Sequence, residues 1–281
     1  MPEGPEVANI AQSLHKLLKN KSILSIRMFE SSRYKKCNGF NGYNLLKHGA
    51  VLKSVTARAK KIIFEFVDIS GKSVYMISFL SMEGKWLRKK GKYTDLVFSF
   101  GVKNVQNVFI PTDILFYDDM RKFGTFEVFT NPLEFNRVFK STGPDLLNEV
   151  VALDKYIEVI KNPKLNSKEI SWFLLQQKYF SGIGNYLKSE VLYMAKIAPS
   201  RIIGTLSYDD IKALYFYSLS LIRESYELGG LSFSTYVNVD GQKGEYKPRV
   251  YNKNMDVLGN HILKEKFTDK RYTYWVPSIQ R

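Results

Sequence analysis

Over residues 3–19 apolar side chains recur at three- and four-residue intervals. Val7, Ile10, Ala11, Leu14, Leu17 and Leu18 fall on one face of a helix. Pro5 occupies its tolerant first turn. From residue 22 the pattern tightens to alternation. Residues 22–29, 51–57, 61–67 and 73–80 predict strands, and KIIFEFV and SVYMISF add β-branched and aromatic side chains. Residues 94–100, 113–118 and 124–129 continue the series. Seven strands behind one helix predict an antiparallel β-sandwich with that helix at its N-terminal edge.

After STGPDLL (141–147) the helical period returns. Residues 152–161 and 167–178 read as helices, the second opened by an Asn166/Glu169 capping box. A glycine turn, SGIGN (181–185), leads into a helix over 186–195. Ser207 and Asp210 start another, which stops at Gly229-Gly230. Residues 240–281 hold short strand-like pieces, among them VYN and YTYWV. The fold class is therefore α+β. The expected domains are a sandwich over 1–131, a linker over 132–150, a helical domain over 151–239 and a β appendage over 240–281.

Charge sharpens this outline. The 281 residues are 44% hydrophobic and 25% charged, which is ordinary for a globular chain, but the net charge is +15. Such a surface points to a polyanion: nucleic acid first, an acidic membrane surface second, merely solvated lysines third. No apolar run is long enough to span a bilayer. Cys37 is the single cysteine, so an internal disulfide and the common structural zinc sites are out of reach. His15, His48 and His261 form no sequence cluster. Glu3 and Glu6 stand where a secretory leader carries basic and apolar residues. The expectation is a soluble protein of a reducing compartment.

The chain begins MPEGPEV. Removal of Met1 ahead of a small residue leaves Pro2 with a free secondary amine. The pKa of an α-amino group is about 7.7–8, so much of it is neutral near pH 7. An amine attacking a sugar C1′ gives an iminium, which is a strong electron sink. Glu3 stands beside it as a candidate acid–base. Taken alone, these residues read better as an ordinary helix start with proline and acids in the first turn.

Three motifs occur in order: MPEGPE at the amino end, DDMRKFG (118–124) and SGIGNYLKSEVLY (181–193), followed by a tail ending KRYTYWVPSIQR. The ordered set resembles the formamidopyrimidine-DNA glycosylase/endonuclease VIII family of base-excision-repair enzymes over nearly the whole chain. The resemblance implies a β-sandwich, a helix–two-turn–helix domain and an antiparallel finger. It implies a bifunctional glycosylase and AP lyase acting as a monomer on damaged double-stranded DNA, with no membrane, metal or organic cofactor.

The resemblance also assigns roles by position. Pro2 is the nucleophile and Glu3 the proton shuttle, supported by Glu6 and Glu190. Lys60, in ARAKKIIF, works in the active site by holding a DNA phosphate. Asn185 and Arg271 hold the backbone beside the lesion. Met82, Arg121 and Phe123 fill the gap left by a flipped nucleotide, although Met82 and Phe123 also suit a core.

The sequence departs from the family pattern at two places. Val276 and Ile279 stand where many relatives place the last two of four zinc-binding cysteines. That looks like the zincless finger of some endonuclease VIII-like proteins, held by packing with Tyr272, Tyr274, Trp275, Val276 and Ile279 as candidate core. Phe79 opens FLSMEG (79–84), where the formamidopyrimidine branch usually has histidine. GIGNYL and the finger lean toward oxidised pyrimidines and hydantoins, whereas Met82, Arg121 and Phe123 lean toward oxidised purines such as 8-oxoguanine. GGLSFSTY (229–236) is a candidate lining of the lesion pocket. The rival readings are a non-catalytic module that binds damaged DNA and an RNA-binding protein.

Overall fold

The computed structural model describes every residue except Met1, Lys47 and residues 233–236. The last of these make up half of the candidate pocket segment 229–236, and that half lies outside the described residues. The chain divides into two compact units. One holds Met1–Pro2, Glu6–Ser141 and Ser232–Gly244; the other holds Glu3–Pro5, Thr142–Leu231 and Glu245–Arg281.

In the first unit α1 (Gly4–Leu18) precedes β1 (Ser22–Met28), α2 (Arg33–Lys36), β2 (Val51–Arg58), β3 (Lys61–Val67) and β4 (Ser73–Phe79). Then come β5 (Lys85–Leu87), β6 (Thr94–Lys103), β7 (Phe109–Asp118), β8 (Thr125–Phe129) and α3 (Pro132–Arg137). The strands are hydrogen-bonded in the order β5-β7-β6-β1-β2-β3-β4-β8, and every pair is antiparallel. At the centre of that order β1 meets β2 through one register pair, Ser22↔Val51. The ladder thus folds there into two four-stranded layers, giving the sandwich the alternation predicted.

The inward faces of the two layers share one apolar core. Trp86 of β5 lies against Phe64 of β3 and Phe126 of β8, with ring centroids 5.3 and 5.7 Å apart. Val7, Ile10, Ala11, Leu14 and Leu18 of α1 complete that core, and Leu17 packs at its margin. Each such side chain contributes about 1.5–3 kcal/mol by leaving water. β5 escapes the sequence reading because three residues carry no period. Pairing with residues 116–118 of β7 defines it. Val239 also enters this core, and its carbonyl accepts from the Arg88 N–H at 3.0 Å. Its stretch, Ser232–Gly244, straddles the expected boundary at 239/240.

The second unit contains α4 (Leu153–Ile160), α5 (Ile170–Leu174), α6 (Asn185–Met194), α7 (Tyr208–Glu227), β9 (Leu263–Lys266) and β10 (Tyr272–Trp275). α7 opens with the full Ser207–Asp210 capping box. It stops at Gly229 and Gly230, whose φ values of 74° and 90° suit glycine. The expected helix over 167–178 shrinks to α5. Asn166 closes a 3₁₀ turn, Pro163–Leu165, and makes no capping box with Glu169. The Glu169 carboxylate instead accepts from the Thr268 N–H and hydroxyl at 2.9 and 2.7 Å. A distant partner has displaced the local one.

Candidate active site and nucleic-acid interface

Glu3 is 3% exposed. Its carboxylate accepts from the backbone N–H groups of Gly184 (2.6 Å), Tyr186 (2.9 Å) and Leu187 (3.3 Å). It therefore supplies the anion that the N-terminus of α6 favours. At Gly184 a Cβ would overlap the Glu3 carboxylate, so a glycine is needed there. These three N–H groups at the start of α6 are thus already taken by Glu3. Pro2, next in sequence, is buried, as is Glu6 in α1.

The first turns of α6 are fastened to the finger hairpin formed by β9 and β10. The Asn185 amide donates to the Tyr272 carbonyl at 2.9 Å, and the Tyr274 N–H donates to the Ser189 hydroxyl at 3.3 Å. Between them the Lys188 ammonium meets the Asp269 carboxylate at 2.5 Å, with the two side chains 0% and 2% exposed. Burial pushes the Lys188 pKa down, while Asp269 and then Glu3 act to keep it charged. The other oxygen of Asp269 accepts from the Arg271 N–H at 2.9 Å, which sets the backbone carrying that exposed arginine. Sequence reasoning missed Lys188 and Asp269. A lysine within a helix and an aspartate in a basic tail leave no pattern.

Glu190, one turn along α6, is fully buried and faces residues 249–251. It accepts from the N–H groups of Arg249 (2.6 Å), Val250 (2.9 Å) and Tyr251 (2.9 Å). Burial raises its pKa, and those three N–H groups oppose the rise. This bonding explains why VYN (250–252) is a turn and not the expected strand.

Beyond it the finger is closed by Tyr193, Val250 and Val276, with Met194, Ile262 and Ile279 around them. Tyr272 does not belong to this core. Alternation along β10 turns Thr273 inward and leaves Tyr272 exposed, beneath the ammonium groups of Lys264 and Lys266. The buried Asp256 carboxylate accepts from the Tyr193 hydroxyl (3.0 Å) and from the Asn260 side chain (2.9 Å). Among the described residues no three His, Cys, Asp or Glu side chains stand together. The finger thus lacks the donor set zinc requires.

In the first unit Met82, Arg121 and Phe123 come together. An Arg121 guanidinium nitrogen lies 3.3 Å from the Met82 sulfur, and the guanidinium carbon lies 5.1 Å from the centre of the Phe123 ring. Phe123 is 53% exposed, so it is not a core residue. Asp119 shapes their loop: its oxygens accept from the Arg121 N–H (3.1 Å) and the Gly124 N–H (2.7 Å). Lys60 stands half-buried in the tight turn joining β2 to β3, where Ala59 has φ 57°.

Comparison with known proteins agrees with this architecture. The family model of the formamidopyrimidine-DNA glycosylase N-terminal domain matches residues 1–126, the H2TH domain of that family matches 142–237, and its C-terminal domain matches 237–281. A formamidopyrimidine-DNA glycosylase of Listeria monocytogenes is 30% identical, covering 100% of both chains. One from Streptococcus agalactiae is 31% identical over 87% of this chain and 85% of its own. Among solved structures, a complex of the Lactococcus lactis enzyme with DNA containing an abasic site superimposes with a TM-score of 0.81 at 27% identity, covering 99% of each chain. Its complex with DNA containing an oxidised pyrimidine gives 0.80, again at 27%, over 100% of each. No helix among the described residues is long and apolar enough to cross a membrane. The chain belongs to the formamidopyrimidine-DNA glycosylase family of DNA-repair enzymes.

Proposed function

We propose that this chain removes oxidised bases from double-stranded DNA and then cuts the strand at the abasic site. With Met1 removed, the Pro2 amine attacks C1′. The C1′–base bond breaks, and the base leaves with that electron pair and takes up a proton. The C1′–O4′ bond then opens, O4′ keeps that electron pair and takes up a proton, and the resulting iminium acidifies the C2′ proton. Its loss breaks the C3′–O bond, and a second elimination breaks the C5′–O bond. Glu3 carries protons between the sugar and the amine. Neither step calls on a metal or organic cofactor.

One observation carries this reading: the residue after Pro2 is a buried carboxylate held by three backbone N–H groups. Such fixing places an acid–base group beside the nucleophile without spending a side chain of opposite charge. Glu6 and Glu190 support the site by bracing the chain around it. Lys60, Asn185 and Arg271 hold phosphates. Met82, Arg121 and Phe123 fill the gap left by the flipped nucleotide.

The zincless finger and GIGNYL favour oxidised pyrimidines and hydantoins as substrates. A second reading, oxidised purines, is favoured by the clustering of Met82, Arg121 and Phe123. The wild-type Lactococcus lactis relative has been crystallised with DNA carrying an oxidised pyrimidine, and a point mutant of it with DNA carrying Fapy-dG.

The test is borohydride trapping on duplexes containing an abasic site, thymine glycol, a hydantoin or 8-oxoguanine. A covalent adduct through Pro2, lost in Pro2→Ala carrying a blocked amino end, is expected. Binding of damaged duplexes without any adduct favours the non-catalytic module and overturns the catalytic reading.

A further inference from the structure

The loop carrying Arg121 and Phe123 projects from the sandwich, yet its backbone is bonded at nearly every position. One Arg33 guanidinium nitrogen donates to the Lys122 carbonyl at 2.7 Å, and its neighbour donates to the Gly124 carbonyl. The Tyr34 hydroxyl donates to that same Gly124 oxygen at 2.9 Å. These two carbonyls bracket Phe123 on either side.

Lys122 itself turns back. Its φ is 55°, its ammonium donates to the Ser31 carbonyl, and it pairs with the buried Asp95 carboxylate at 3.3 Å. Asp119 closes the loop from within, as described above. Beneath it the Tyr117 ring lies so close that a Cβ on Gly124 would overlap the phenol oxygen. Arg33 and Tyr34 sit on the short helix α2, whose N-terminus is capped by the fully buried Ser32. Burial raises the Tyr34 pKa, in keeping with a hydroxyl that holds its proton and donates to Gly124.

We propose that Arg33 and Tyr34 are positioning residues for lesion recognition, holding the two peptides beside Phe123 so that its ring and Arg121 are presented ready to enter the duplex. A wedge that is already ordered loses little further freedom on entering the stack. The inference rests on the role proposed above for Phe123 and Arg121, and it adds two residues from an element that no motif marks. Apart from a bond to the Tyr34 hydroxyl at 2.7 Å, the Arg33 guanidinium is held by the Lys122 and Gly124 carbonyls. Its effect on the reaction is therefore exerted through Phe123.

That dependence makes the test a double-mutant cycle. Single-turnover excision from a duplex with an oxidised base is measured for Arg33→Ala, Phe123→Ala and the pair, beside cleavage at a preformed abasic site. Arg33→Ala is expected to slow excision about tenfold and to slow abasic-site cleavage much less. In the Phe123→Ala background its effect should fall below about twofold. Tyr34→Phe, which removes the hydroxyl's bonds to Gly124 and from Arg33 and keeps the ring, covers the case in which Arg33→Ala fails to fold; a loss of about threefold is expected.

Hydrogen exchange over residues 119–126 of the free protein reads the ordering apart from activity. Faster exchange in either variant is expected. Unchanged exchange, additive effects in the cycle or equal losses on both substrates overturn the inference. A wild type that forms no adduct on any duplex overturns the functional reading instead, and the exchange measurement still decides whether Arg33 and Tyr34 order the loop.

Discussion

Glu3 and Glu190 are the same residue in nearly the same surroundings. Each is buried, and each takes three backbone N–H groups. Glu3 grips the start of α6 from outside, whereas Glu190 projects from α6 and grips residues 249–251. Burial and hydrogen bonding alone therefore do not distinguish a reacting group from a brace. The neighbours do: Glu3 follows Pro2, and Glu190 lies 3.9 Å from the Arg249 guanidinium, which also holds Glu224. One carboxylate is fixed beside the proposed nucleophile, the other inside a structural network.

Glu3→Gln should break this pair most sharply. It keeps one acceptor for the α6 amides but removes the proton carrier. A loss of about 10²–10⁴ in single-turnover excision is expected, with a folded protein by circular dichroism. Excision within tenfold of wild type would return Glu3 to the status of a helix cap.

Lys188→Met comes next and acts on stability. Left alone, Asp269 becomes a buried unpaired charge, so unfolding in urea should show a loss of about 3–5 kcal/mol. Lys188→Met with Asp269→Leu should recover most of it. Failure of the double variant to recover would mean that the pair does more than cancel its own charges.

Glu190→Gln should cost about 1–3 kcal/mol through weakened bonds to residues 249–251. Activity per folded molecule should change far less than for Glu3→Gln. Equal inactivation of both variants, both folded, would erase the distinction drawn between them.

The smallest effect is in pH. The folded-state pKa of Glu190 is raised by burial, so the native state holds that proton more tightly than the unfolded chain. The stability it contributes is present below the ordinary carboxylate range and is lost as pH rises through the raised value. Thermal unfolding across the weakly acid range should show that decline in wild type and a flatter profile in Glu190→Gln.

The sequence announces structure where chemistry and period are local. The face of α1, the strands of the sandwich, the Ser207–Asp210 cap and the Pro2–Glu3 pair can all be read within a few residues of each other. It is silent where polar groups meet across the chain. Lys188 and Asp269 are 81 positions apart and Arg33 and Lys122 are 89 apart, and neither pair leaves a periodic trace. The Asn166/Glu169 box shows the opposite failure. A sound local pattern gives way because Thr268 offers Glu169 better donors. Tyr272 suits a core by size alone, whereas strand alternation turns the smaller Thr273 inward.

The single register pair joining β1 to β2 has a kinetic consequence. β2, β3 and β4 follow one another through tight turns, so their pairing closes only short loops. β1 pairs along its length with β6, across roughly 65 intervening residues. Backbone bonds between residues 20–23 and 49–52 tie the layers at one corner, and the remaining strand pairing of β1 waits until that long loop has closed. The β2–β4 meander should therefore be the nucleus, with β1 and its layer joining after the rate-limiting step. Substitutions at Phe64 are then expected to slow folding, and those at Ile23 to speed unfolding.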